Sequence, residues 1–313
     1  MDSASAYTAA TEGVALLDRS ERGKLAVSGE ERAAYLDAVL SNDIAALEPG
    51  GGTDATLLTH KGRILAEVRV LATEDELLLD TERVGLQALF DALRQFRVGY
   101  RAQLHKRTLE CALLSLIGPD AEAPLADRPA AVEHSHLATS VAGLAVRAIR
   151  TDVGIDLLCA SEQGSALAEA LLAGGAVAID DAVAELIRIE RGRPRFGVEI
   201  DEDTMPQEAG LHERAVSYSK GCYVGQETVA RLYWKGKPNR LLRGLRLSEP
   251  VAAGAPLLLG ERPVGSVGSF AASPRLGPIG LALLRREAEP GAVLEVAGGR
   301  GRATVVELPF AGD

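Results

Sequence analysis

Lys220-Gly221-Cys222-Tyr223-Val224-Gly225-Gln226-Glu227 places a thiol, a cation, an amide, a carboxylate and two glycines in eight consecutive residues. Core segments are not built this way. Glycine permits backbone conformations closed to other residues and close approach to the main chain, while the residues between bond, titrate or stack. Gln226 to Arg231 is expected to open a short helix. That puts Cys222 just before a helix N-terminus and two residues from the Lys220 ammonium, and both neighbours favour thiolate. Cys222 is therefore the candidate reactive thiol, Lys220 the group that lowers its pKa, and Gln226 a further ligand contact. The structural alternative is a glycine-rich turn whose cysteine acts as a small buried hydrophobe.

Outward from this octet the chain is locally basic. From Lys220 to Arg246 it carries Lys220, Arg231, Lys235, Lys237, Arg240, Arg243 and Arg246 against Glu227 alone, although the whole protein has a formal charge of −10. An anionic ligand beside the octet is the expectation. The overall acidity argues against a general nucleic-acid binder, which needs a basic surface to neutralise phosphates. The most apolar region, 166–189, is interrupted by Glu169, Asp180, Asp181, Glu185 and Arg188, so no membrane span is expected.

The 313 residues suggest two or three packed domains. Cys111, Cys159 and Cys222 are too few and too dispersed for a disulfide framework or a metal cluster, which fits a reducing cytoplasm. Residues 1–20 lack a secretory pattern. His60, His105, His134, His136 and His212 show no ligand spacing, and none is assigned to a metal.

Along the chain, Ser28-Gly29-Glu30-Glu31 reads as a capping box opening a helix with Ala33, Leu36, Val39 and Leu40 on one face. Residues 53–59 and 64–71 read as a hairpin around His60 to Arg63, 77–80 as a strand and 84–96 as an amphipathic helix. A second mixed unit follows, with strands at 145–149 and 155–159 and helices at 165–172 and 181–190, the last opened by an aspartate cap. Beyond Pro238, short apolar runs at 241–247, 256–259, 264–270, 279–284, 293–296 and 303–306 alternate with glycine and proline, as in a small β-barrel. The fold class is α+β with an all-β C-terminal part. Residues 1–237 form two interleaved α+β units with an internal boundary near 105–130, and 238–313 form the barrel domain.

The octet, continued by Thr228-Val229-Ala230-Arg231, resembles the K-G-C-Y-x-G-Q-E segment of the YgfZ family, folate-binding proteins related to the aminomethyltransferase (T protein) of the glycine cleavage system. Arg188-Ile189-Glu190-Arg191-Gly192-Arg193-Pro194-Arg195-Phe196-Gly197-Val198-Glu199 and Met205-Pro206-Gln207-Glu208-Ala209-Gly210-Leu211 resemble it in the same order, as do Ser41-Asn42-Asp43-Ile44 and His60-Lys61-Gly62-Arg63. The resemblance implies two ferredoxin-like α+β units and a β-barrel around a central folate channel, with tetrahydrofolate or a derivative as cofactor. It implies that Glu190 holds the pterin, since a carboxylate accepts paired N–H donors from an aminopyrimidine edge. Asn42, Lys61, Arg63 and Arg231 would line the channel, Tyr223 would either stack on the ligand or pack between the loop and the barrel, and the cations from Lys235 to Arg246 would meet the folate's glutamate tail.

The family further implies an accessory role in iron–sulfur cluster assembly or repair, with client or assembly proteins as partners and Cys222 as the special thiol. One thiol cannot supply the four ligands of a cluster alone. The alternative is a folate-dependent aminomethyltransferase moving one carbon from an amine. Against it stands Ala66-Glu67, where the transferases carry paired aspartates. A carboxylate displaced by about 1 Å costs of order 100-fold in rate. A thiol-nucleophile enzyme unrelated to folate is the third reading.

Overall fold

The computed structural model describes residues 3–299 and 301–310. The N-terminal part runs α1 (Ser3–Glu12), β1 (Ala15–Asp18), β2 (Gly23–Ser28), α2 (Arg32–Val39), β3 (Gly52–Leu58), β4 (Ile64–Ala72), β5 (Glu76–Thr81), α3 (Leu86–Phe96) and β6 (Gln103–Lys106). It continues through β7 (Cys111–Ile117), β8 (His136–Val141), β9 (Leu144–Arg150), β10 (Gly154–Ala160), α4 (Gly164–Ala173), β11 (Val177–Ala178) and α5 (Asp181–Glu190). After a long stretch without regular structure come α6 (Gln226–Lys235) and seven strands. These are β12 (Arg240–Leu247), β13 (Pro256–Leu259), β14 (Arg262–Ser266), β15 (Ser269–Ser273), β16 (Gly277–Arg285), β17 (Val293–Val296) and β18 (Arg302–Val306).

Three sheets result, ordered β3-β4-β5-β2-β6, β11-β1-β7-β10-β9-β8 and β14-β13-β17-β18-β12-β16-β15. The first two mix with helices and the third is all-β, the division expected from the sequence. The third ladder ends at β14 and β15 without closing, so the expected barrel is an open one.

Chain compactness defines two units: Met1–Leu57 with Ala66–Val183 and Ser219–Val224, and Leu58–Leu65 with Ala184–Tyr218 and Gly225–Asp313. In the first, Leu16, Leu114, Leu116, Ile155 and Leu157 face Leu167 and Leu171 of α4. In the second, Leu245, Leu257, Val264, Leu284, Leu294 and Val305 fill the sheet's core. Ile189, in the last turn of α5, packs with Ile279, Leu281 and Phe310, which fixes where the next residue, Glu190, lies.

Two local readings need correction. The capping box does not form: Ser28 ends β2 and its Oγ pairs with His105 Nε2 at 2.8 Å, while Glu31 at the cap of α2 makes no side-chain cap bond. Glu31 Oε2 instead accepts from the Arg101 amide at 2.6 Å, so a contact distant in sequence outcompetes the local one. The run 264–270 is two strands, not one, broken where Val267 and Gly268 donate to Ala255 and Leu281. The aspartate cap of α5 is present as Asp180, whose Oδ1 accepts from the Val183 amide at 3.2 Å.

Charge is buried in the first unit. Arg69 on β4 pairs with Asp80 at 2.8 Å and Asp156 at 2.6 Å, Arg22 donates to Asp80 at 2.8 Å, and Ser115 donates to Asp156 at 2.6 Å. Burial alone would raise both aspartate pKa values. The guanidiniums of Arg22 and Arg69 reverse it for Asp80, and Arg69 does so for Asp156, so both sit below the usual carboxylate range.

His136 gives a pH prediction. Its Nδ1 accepts from Arg147 at 2.9 Å and its Nε2 meets the Gly51 carbonyl at 3.2 Å, which requires the neutral Nε2–H tautomer. Burial, then Arg147, lowers its pKa from 6.5 to about 4. A depressed histidine contributes stability that is fully present above the unfolded value and is lost as pH falls toward the folded one. Stability should therefore fall by up to about 3 kcal/mol from this group between those two values. Urea midpoints measured across that range should decline less steeply in His136→Gln than in the wild type.

Candidate functional site

The octet carries the chain from one compact unit to the other: Ser219–Val224 belong to the first and Gly225 onward to the second. Gly225 caps α6 with φ of 85°, and a Cβ there would lie 2.4 Å from the Thr59 carbonyl, so only glycine fits. Gly221 differs, since a Cβ there meets nothing within 4 Å. The expected helix forms as α6.

Cys222 is exposed, not a buried hydrophobe. Lys220, however, does not serve it. The side chain is 1% exposed, and its Nζ pairs with Asp37 Oδ1 at 2.9 Å and donates to the carbonyls of Asp37, Leu40 and Asn42 at 2.5, 3.0 and 2.7 Å. An ammonium has three protons, and these four acceptors saturate it. Burial lowers the lysine pKa, while Asp37 opposes the shift. The expectation that Lys220 activates the thiol is thus corrected: this lysine ties the octet to the end of α2.

Tyr223 lies beside it, with the Lys220 Nζ 5.3 Å from the ring centroid. The residue is 7% exposed, and its buried hydroxyl has no hydrogen-bond partner among the described residues. Burial pushes its pKa up to about 12. Asn42 presents its backbone carbonyl to Lys220, while its side-chain amide donates to Thr53 Oγ1 and the Asp54 carbonyl, both at 2.8 Å. Asn42, Lys220 and Tyr223 are brought together in this way, with Asp37 as the partner that sequence reading missed. On β4, Ala66 is fully buried and Glu67 half-buried.

In the second unit Glu190 is 7% exposed. Its Oε1 accepts from Ser273 Oγ, and Arg275 stands 3.8 Å from Oε2. Ser273 Oγ itself accepts from the amides of Arg275 and Leu276 at 3.1 and 2.8 Å, which fixes the direction of its proton. Nearby in sequence, Arg188 grips Glu199 with two bonds of 2.9 and 3.0 Å, and Glu199 also accepts from Ser269 at 2.5 Å. Glu208 holds Arg240 at 3.1 and 3.2 Å and Arg63 at 3.5 Å. Glu199, Glu208 and Ser273 were missed as organisers. The two glutamates stand within quoted motifs, and Ser273 had no local signal.

The remaining expected contacts are placed as follows. Gln226 begins α6 and is half-buried, Lys61 is exposed in the β3–β4 turn, and Arg231 is exposed and paired with Glu227 at 2.5 Å. The basic run is largely neutralised: Lys220 by Asp37, Arg231 by Glu227, Arg240 by Glu208 and Arg243 by Glu307. Its net charge is therefore weaker evidence for an anionic ligand than the sequence suggested. Asp54 and the adjacent pair Glu133 and His134 bring ligand-type atoms within 4.8 Å of one another. Cys111 and Cys159 oppose Ala160 and Ala112 across the β7–β10 ladder, so their side chains lie on opposite faces. Among the described residues no helix is long and apolar enough to cross a membrane.

Residues 3–220 match the GCVT N-terminal domain, and residues 240–311 match the glycine cleavage T-protein C-terminal barrel domain. A chloroplast protein of Arabidopsis thaliana classed provisionally as a transferase is 27% identical over 90% of this chain and 68% of its own length. The aminomethyltransferase of Corynebacterium aurimucosum is 28% identical over 97% of this chain and 88% of its own. The crystal structure of the glycine cleavage system aminomethyltransferase T from Bartonella henselae superposes with a TM-score of 0.88 at 26% identity, covering 98% of this chain and 89% of that one.

Proposed function

The chain belongs to the family of the glycine cleavage T protein, and from that premise we propose that it binds tetrahydrofolate or a close derivative. The observation that carries this reading is Glu190, a carboxylate 7% exposed and oriented through Ser273. Such a group accepts the N–H donors of a pterin with charge-assisted bonds. Tyr223 supports it independently. A hydroxyl left unsatisfied inside a protein costs about 1–3 kcal/mol, and a bound ligand with a polar edge would remove that cost. A reduced folate, when bound, supplies the nitrogens that accept or carry one carbon.

Tyr223→Phe separates a ligand contact from a packing role. In the ligand-free protein the substitution should leave stability unchanged or raise it by up to about 1 kcal/mol, because no bond is lost. Tetrahydrofolate affinity should fall about tenfold. An unchanged affinity would make the hydroxyl irrelevant to binding.

Two activities build on folate binding. Aminomethyl transfer has the support of the relatives' names and of the Bartonella structure, and Glu67 or another carboxylate would serve as its base. An accessory role in iron–sulfur cluster assembly or repair, as in the YgfZ family, is favoured by two features of this chain: Ala66 brings no carboxylate, and Cys222 is exposed in the octet. Purified protein assayed with the partner proteins of glycine cleavage distinguishes them. Robust turnover that is lost in Glu67→Ala but retained in Cys222→Ser establishes the transferase. Folate binding without turnover favours the accessory role, with iron–sulfur enzyme activities in a Cys222→Ser strain as its readout.

A further inference from the structure

The C-terminal end of α6 is unusually aromatic on its open side. Tyr233 is 46% exposed and Trp234, the only tryptophan of the chain, is 69% exposed. These rings pack on one another. Tyr218 stacks on Tyr233 with centroids 3.9 Å apart and planes 19° apart, and Trp234 meets Tyr233 edge-on at 4.9 Å and 85°. Beneath them Gln207, 4% exposed, donates to the Tyr218 hydroxyl at 3.2 Å and the Val229 carbonyl at 2.8 Å. The stack is therefore anchored from below and open above.

Two cations follow directly. Lys235 and Lys237 are exposed, and among the described residues neither has an ion-pair partner. Most other cations of this segment are paired. Lys235, in the last helical turn, offsets the helix dipole, but that explains neither Lys237 beyond the helix nor the exposure of Trp234. Single exposed apolar residues are ordinary. A stacked group of rings followed in the chain by two unpaired lysines has instead the composition of an interface centre, where tryptophan and tyrosine carry most binding energy. Unpaired cations on a protein of charge −10 also define the sign of what they attract.

We propose that Tyr233, Trp234, Lys235 and Lys237 form a docking surface for a partner protein that presents an acidic segment bearing an aromatic or apolar side chain. The apolar group packs on Trp234 and Tyr233, and the carboxylates pair with the two lysines. The surface shares no residue with the Glu190 and Tyr223 contacts assigned to folate, so the proposal does not depend on folate binding.

The single tryptophan makes the test direct. Full-length protein is titrated with a synthetic decapeptide of α-linked glutamates around one central phenylalanine, following Trp234 emission, with a lysine decapeptide as control. A saturable emission change with the acidic peptide alone is expected. Affinity should weaken about tenfold in Lys235→Glu/Lys237→Glu and on raising salt to about 0.5 M. Trp234→Ala, followed by anisotropy of a labelled peptide, should weaken it by a similar factor. Both sites are exposed, so melting temperatures should fall by no more than a few degrees, from one lost ring contact or one reversed charge at the helix end, and Lys237→Gln, beyond the helix, provides a milder variant. No saturable response, or equal affinity in the lysine variants, overturns the proposal. Tighter binding of an oligo-γ-glutamate than of the α-linked peptide also overturns it, because the patch would then belong to the tail of a small molecule.

Discussion

Arg69→Met is expected to destabilise the protein by about 3–5 kcal/mol, the cost of leaving buried charge without its partner. Arg69 is the only residue that bridges both Asp80 and Asp156 among the described ion pairs, at 2.8 and 2.6 Å. After its removal Asp80 keeps Arg22, and Asp156 keeps the hydroxyl of Ser115 and the charge of Arg19, with which it has no ion pair among the described residues. Both carboxylates are desolvated, and their low pKa values depend on that guanidinium. Urea denaturation at neutral pH should show the midpoint falling with little change in slope. Adding Asp156→Leu to Arg69→Met should recover part of the loss, since an apolar replacement of a buried pair is often tolerated where a broken pair is not. If Arg69→Met melts like the wild type, the ion pairs across the two mixed sheets are not supporting the first unit.

Glu190→Gln carries the second large effect, on binding and not on folding. The amide keeps the shape and an acceptor for Ser273, so stability should change by less than about 1 kcal/mol. It removes the negative charge and exchanges one acceptor oxygen for a donor that opposes a pterin N–H. Charge-assisted bonds are worth about 1.5–3 kcal/mol, so tetrahydrofolate affinity should fall about 10- to 100-fold.

The comparison of sequence with structure turns on which forces are local. The hairpin of β3 and β4, the helix α6 and the strands after Pro238 were legible because apolar periodicity and glycine placement act over a few residues. The strands β2 and β7 were not foreseen. β7 is buried along most of its length on both faces, and a run apolar but for Ser115 carries no period to read. Ser28 looked like a cap because three positions later stands a glutamate; His105, distant in sequence, claims its hydroxyl instead. Lys220 shows the same limit at the candidate site. Proximity in sequence to Cys222 suggested an activated thiol, yet the lysine side chain turns to Asp37 and the carbonyls at the end of α2, 178 to 183 residues away. Arg69 lay inside an apparently ordinary alternating strand, and nothing local announced that it would be buried between two aspartates.

Folate binding at Glu190 is decided by isothermal titration of the full-length protein with tetrahydrofolate under reducing and anaerobic conditions. Saturable one-to-one binding that weakens at least tenfold in Glu190→Gln, with an unchanged melting temperature for that variant, is the predicted result. Absence of saturable heat in the wild type, or equal affinity in Glu190→Gln, would contradict it.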